Sequence, residues 1–151
     1  MIYNKRLKEL RERYGIPQKE LANLINVKRP VYTQYENENV TIPLIHLITI
    51  CDYFNVSLDY IFNFTEIKNY PESKKEINKL EAGQNLKTFR KENKITQNQL
   101  ANILNTTHSV ISDYERGRYL INTSFLYAIC LKYNISADYL IGRTKNISPE
   151  K

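Results

Sequence analysis

The sequence predicts an all-α protein of two five-helix domains joined by a partly helical linker, and three observations carry that prediction. Sliding the chain by 79 residues superposes Leu7 on Leu86 and Tyr60 on Tyr139 with no gap between them. Within each copy, apolar residues recur three and four apart over short segments, the period of a helix that buries one face. Between those segments stand serines, threonines, prolines and glycines at positions that open or close helices.

The repeat is specific at many positions. Arg11 meets Arg90, Ile16 meets Ile95, Gln18 meets Gln97, Leu21-Ala22-Asn23 meets Leu100-Ala101-Asn102, and Tyr35-Glu36 meets Tyr114-Glu115. Ile42, Ile50, Cys51, Asn55, Ser57, Asp59 and Tyr60 also find their own kind. Two repeats are too few for a solenoid, but each copy is long enough to close its own core. The predicted boundaries are a first domain at 1–63, a linker at 64–81, a second domain at 82–142 and a frayed basic tail at 143–151.

In the first domain, helix 1 is expected at 3–13 with Leu7 and Leu10 inward, ended by Gly15. Its cations Lys5, Arg6, Lys8, Arg11 and Arg13, interspersed with Glu9 and Glu12, read as a solvated face. Helix 2 comes next at 18–25 behind Pro17, which has no N–H to leave unpaired. Helix 3 is expected at 28–36 and starts weakly, because Lys28 is a poor N-cap. Helix 4, at 44–54, presents Leu44, Leu47, Ile48, Cys51 and Phe54, and a short helix opens at Ser57 and packs Leu58, Ile61 and Phe62. In the linker, Asn69-Tyr70-Pro71 breaks any helix, and residues 72–81 have helix-forming composition with Ile77 and Leu80 as a sparse apolar stripe. The second domain repeats the plan at 82–92, from Gln97 behind Thr96, from His108 behind Thr107, at 124–133, and from Ala137 behind Ser136, with Gly142 as the stop. Leu100, Ala101, Val110, Ile111, Tyr114 and Tyr35 are assigned to the cores.

Formal net charge is +6, with a pI near 9.2. It divides as +1 over 1–63, zero over 64–81, +3 over 82–142 and +2 over 143–151, so the second half has more attraction for a polyanion. The abundance of Asn, Ile, Lys and Tyr reads as codon bias of an AT-rich genome. The longest apolar runs are too short for a membrane span, and the N-terminus lacks a secretory core, so a cytoplasmic location is expected. Cys51 and Cys130 occupy one equivalent core position and lack the spacing of a metal knuckle, so neither a zinc site nor a disulfide framework is expected. With no nucleophile elbow, no phosphate loop and no metal-ligand cluster, neither a cofactor nor an enzyme is indicated.

Residues 97–117 place two short helices around a tight turn. Leu100, Ala101 and Leu104 fall on one face before the turn, and Val110, Ile111 and Tyr114 on one face after it. That spacing is a helix-turn-helix pattern, and its second helix carries Thr107, His108, Ser109, Ser112 and Asp113 outward.

Gln97, Leu100-Ala101, Asn105-Thr106-Thr107, Val110-Ile111-Ser112 and Tyr114-Glu115-Arg116-Gly117-Arg118 together closely resemble the phage-repressor-like family of Cro and lambda repressor, often called the XRE type. Gln18, Leu21-Ala22, Val27, Val31, Tyr35-Glu36-Asn37 and Pro43 carry the same signature in the first copy, which departs at Glu38, where the family commonly has glycine, and at Lys28-Arg29-Pro30. The resemblance covers 2–63 and 82–142. It implies lambda-repressor-like five-helix domains and a sequence-specific transcriptional regulator, a repressor, that binds double-stranded DNA. It implies further that Gln18 and Gln97 hold phosphates at helix N-termini. Lys28, Arg29, Thr33 and Gln34, and in the second copy Thr107, His108, Ser109, Ser112 and Asp113, then face the groove. Arginine suits guanine, glutamine suits adenine, and Asp113 could only accept, from a cytosine amino group. Asn37, Asn39, Arg116 and Arg118 are implied backbone contacts. A homodimer, a protein or small-molecule effector, and an alternative use of the same fold as an interaction module or antitoxin-like protein all remain compatible with the sequence.

Overall fold

A computed structural model of the chain describes residues 2–70 and 76–149, with no strand among them. The chain divides into two compact units that part after Tyr70. The first contains α1 (Ile2–Arg13), α2 (Gln18–Leu24), α3 (Arg29–Glu36), α4 (Leu44–Phe54) and α5 (Leu58–Ile61). The second contains α6 (Lys79–Glu92), α7 (Gln97–Ile103), α8 (His108–Glu115), α9 (Thr123–Tyr133) and α10 (Ala137–Leu140). Among the described residues no helix is long and apolar enough to cross a membrane.

In the first unit α1 packs against α3 and α5, and α2 against α3 and α4. Tyr3, Leu7, Leu10, Leu21, Tyr32, Leu47, Ile50, Leu58 and Ile61 are each within 2% of full burial, which makes a continuous core. Each such side chain contributes about 1.5–3 kcal/mol over an exposed one. In the second unit α6 packs against α8 and α10, and α7 against α8, around Leu86, Leu100, Ile111, Leu126 and Ile129. Cys51 and Cys130 are buried thiols. Val110 and Tyr114, assigned to the core from their spacing, are only half-buried, because the short α8 turns part of that face toward solvent.

Each turn between the helices of a unit, and the turn that follows its last helix, uses one residue in the left-handed region, at the same register in both copies. The pairs are Gly15 and Lys94, Asn26 and Asn105, Glu38 and Gly117, Asn55 and Asn134, and Asn63 and Gly142. Asparagine tolerates this conformation because its short side chain hydrogen-bonds locally. Its abundance is therefore partly structural, which corrects the codon-bias account. Gly117 is required for a second reason: a Cβ there would stand 2.8 Å from Leu80 Cα.

Residues 64–70 and 143–149, expected as linker and frayed tail, instead fold back as matching straps. The Ser57 N–H donates to Lys68 O, and the Ser136 N–H to Ile147 O, at the same offset. Thr65 Oγ1 accepts from Ile67 N at 3.0 Å and Thr144 Oγ1 from Asn146 N at 3.3 Å. The cause is that Ser57 and Ser136 are buried at the entrances of α5 and α10, where a backbone N–H must find an acceptor. Tyr70 completes the first strap by donating to Asp59 Oδ2 at 2.8 Å.

Other boundaries shift slightly. In the connector, residues 71–75 lie outside the described residues, 76–78 are not helical, and α6 starts behind Asn78, whose side chain accepts from Leu80 and Glu81 N–H groups. α9 starts at Thr123 behind Asn122, one residue before the expected start. Helix 1 is not simply a solvated face: Arg11 turns inward, and Arg6 reaches Tyr60 O, Thr65 O, Asn63 and both carboxylate oxygens of Glu66.

Candidate nucleic-acid interface

Each unit joins two short helices by a four-residue turn, residues 25–28 and 104–107. The turns close with Val27 N donating to Ala22 O at 3.0 Å and Thr106 N to Ala101 O at 2.9 Å. The helix entrances on either side of the turn differ between the copies. Lys28 precedes α3 with no side-chain cap, whereas the Thr107 hydroxyl accepts from Val110 N ahead of α8. α7 also carries a full capping box between Thr96 and Gln99, and α2 begins behind Pro17 with none.

A buried ion pair holds the outer helix of each pair. Arg11 Nε and Nη2 donate to Glu36 at 2.8 and 2.7 Å, while Nη1 donates to Ile16 O at 2.9 Å. Arg90 does the same to Glu115 at 2.6 and 3.0 Å and to Ile95 O at 3.0 Å. Burial pushes the Glu36 carboxyl up, but the hydrogen bonds and charge of Arg11, with Tyr32 and Gln18 beside it, together outweigh burial and hold the group below its ordinary value. The hydrogen bond to Glu36 likewise raises Arg11, against burial. Nothing in composition distinguishes Arg11 from its exposed neighbours on α1. The repeat does, because Arg11, Glu36 and Gln18 recur together as Arg90, Glu115 and Gln97.

Gln18 and Gln97 join this pair. Gln97 Nε2 donates to Glu115 Oε1 at 3.0 Å, and Gln18 Nε2 lies 3.4 Å from Glu36 Oε1. A primary amide has two N–H groups, so one bond to the glutamate fixes the side chain and leaves the other for an external acceptor. In the first unit Gln18 Oε1 also accepts from Thr33 Oγ1 at 2.7 Å, which draws Thr33 toward α2.

The remaining candidates fall into clusters and isolated positions. Asn39 Nδ2 donates to Gln34 Oε1 at 2.9 Å, so these two stand together at the C-terminal end of α3. Asp113 lies 2.8 Å from Arg116 Nη2 and 3.8 Å from Arg118 Nη1. Lys28, Arg29, Asn37, His108 and Ser109 are exposed and Ser112 is half-buried, and the Thr33 hydroxyl donates to Arg29 O at 3.0 Å. Thr107 is exposed and occupied as a cap. Spacing alone missed Val31, which is 40% exposed on α3 and offers an apolar surface of the kind that suits a thymine methyl. It also missed Tyr119, 53% exposed beside the Arg118 guanidinium, whose carbon is 5.4 Å from the ring centroid.

Comparison with known proteins falls on the same two stretches. Residues 7–61 match a family described as helix-turn-helix, and residues 83–145 one described as helix-turn-helix domain. Over 67 residues the chain is 33% identical to antitoxin PezA of Streptococcus pneumoniae serotype 4, covering 44% of this chain and 42% of that protein. It is 38% identical over 69 residues to the immunity repressor protein of Bacillus phage phi105, covering 46% and 48%. It is 32% identical over 65 residues to an uncharacterized HTH-type transcriptional regulator, YobD, of Bacillus subtilis, covering 43% and 58%. The chain thus spans about half the length of the curated relatives it matches. No solved structure matches it significantly.

Proposed function

Because the chain carries two helix-turn-helix domains of the XRE type in tandem, we propose that it is a sequence-specific double-stranded DNA-binding regulator, a repressor rather than an enzyme. The observation that carries this reading is the repeated lock: in both units a buried Arg–Glu pair fixes the glutamine that opens one helix against the helix beyond the turn. Gln18 and Gln97 then offer an oriented N–H to a phosphate, beside the free N–H groups of a helix N-terminus. Lys28, Arg29 and Gln34 read base edges from α3, and His108, Ser109 and Ser112 from the first turns of α8. Asn37, Asn39, Arg116 and Arg118 meet the backbone beyond each helix. A covalent pair reaches two half-sites as one polypeptide, at high effective concentration.

Selection of bound sequences from random duplex DNA tests this reading. The expected result is an enriched site with two unlike halves, the one assigned to α3 containing guanine. In the selected duplex Arg29→Ala should weaken binding about tenfold to a hundredfold and relax one position, as loss of a bidentate guanine contact does. No binding of any duplex at low salt sinks the proposal. The likeness to an antitoxin favours a second reading, a protein-binding module on the same fold. Unchanged DNA affinity in Arg29→Ala and His108→Ala, together with a lost protein partner, would support it instead.

A further inference from the structure

Building on the DNA-binding reading, we propose that Asp113 reads no base: it is a positioning residue that holds Arg116 and Arg118 and so lowers the affinity of the second domain for any DNA backbone. A single carboxylate oxygen, Oδ1, faces both guanidinium groups, at 2.8 Å from Arg116 and 3.8 Å from Arg118. The Asp113 side chain is only 20% exposed, while those of Arg116 and Arg118 are 66% and 64% exposed. The outer edges of both arginines are therefore open to phosphate oxygens while their inner edges stay on the carboxylate.

The first unit serves as an internal control. Gln34 occupies the position of Asp113, and Asn39 that of Arg118. Asn39 N donates to Gln34 O at 3.0 Å, and Arg118 N to Asp113 O at the same distance. The side-chain tie in the first unit is made by two neutral amides, Asn39 Nδ2 to Gln34 Oε1 at 2.9 Å. The loop beyond the helix is thus fastened without charge, and the carboxylate of the second unit adds something the fold does not need. Both arginines face Oδ1, so only Oδ2 of this 20%-exposed side chain could accept from a cytosine amino group, and doing so would bring a negative charge toward the phosphates. Kept in place, it cuts the effective charge of the patch from two to one. For a regulator that meets a large excess of wrong sites, lower generic affinity leaves a larger share of binding to base contacts.

The test is Asp113→Asn in the full chain, measured by fluorescence anisotropy on the selected duplex and on a scrambled duplex of equal length, across about 50 to 200 mM salt. The expected result is several-fold tighter binding to both duplexes alike, with their ratio unchanged and the salt dependence steeper by about one counterion. Weaker binding to the selected duplex alone means that Asp113 reads a base; equal weakening of both means that it orients the arginines for contact; no change means that it does neither. Each of these three overturns the proposal. Asp113→Gln, the residue type at the matching position of the first unit, repeats the measurement should the asparagine variant melt early. Failure of the unaltered chain to bind either duplex overturns the DNA-binding reading itself and is visible before any variant is compared.

Discussion

Glu36 shows how much one side chain holds in each unit. Its carboxylate takes two bonds from Arg11 and lies against Gln18, so removing it strands a guanidinium that is only 11% exposed. Glu36→Ala should therefore destabilise the first unit by about 3 kcal/mol, read from urea unfolding. The pH dependence stems from the depressed carboxyl. A group whose folded pKa lies below its ordinary 4.5 contributes fully above that pH and loses its contribution as pH falls through the folded value. Melting temperature should drop on acidification below about pH 4.5, and Glu36→Gln should flatten part of that drop. Glu38 is the opposite case. It sits at φ 64° where the second copy has Gly117, so Glu38→Gly should raise stability by about 1 kcal/mol, while Gly117→Ala, with its Cβ against Leu80, should lower it. Neither effect is visible in the amino acid alone: Arg11 has the same composition-level surroundings as Arg13, and only the repeat and burial separate them.

Among the elements, α3 and α8 differ at their entrances, and the sequence shows this directly. Lys28 cannot cap and Thr107 does, as their side-chain chemistry requires. Lys28→Thr should therefore stabilise the first unit by about 1 kcal/mol in thermal melts, and under the proposed function it should also weaken binding of the selected duplex. Stability and affinity moving in opposite directions would identify an entrance kept weak for the sake of a contact. The two straps were not legible. Periodicity finds helices because their burial repeats every three to four residues, whereas 64–70 and 143–149 are irregular chain, each tied by a backbone bond to a buried serine and the first also by side-chain bonds. A signal did exist: Thr65 and Thr144 extend the repeat beyond the last matched tyrosines.

At the scale of the whole molecule, the two units share a frame and differ in the chemistry mounted on it. The first presents Lys28, Arg29 and Gln34, and the second presents His108, Ser109 and an arginine pair restrained by Asp113. Under the proposed function, Lys28→Ala should weaken binding of the selected duplex and reduce its salt dependence by about one counterion. His108→Ala should act at one base pair and leave the salt dependence unchanged, and binding of the selected duplex across a salt series separates the two.

The sequence alone determined the number of domains, the order and type of their helices, and the turn that sets one helix across another. These come from local period, capping chemistry and an ungapped repeat, all properties of neighbours along the chain. Only the tertiary structure decided which charged residues are available to a ligand. Arg11 and Arg90 are drawn inward by glutamates 25 residues away, and Thr33 is turned onto Gln18. The physical reason is that a charge or a hydroxyl carries no mark of its partner. Its role is set by the nearest group of complementary chemistry in space, which the fold chooses and the local sequence does not.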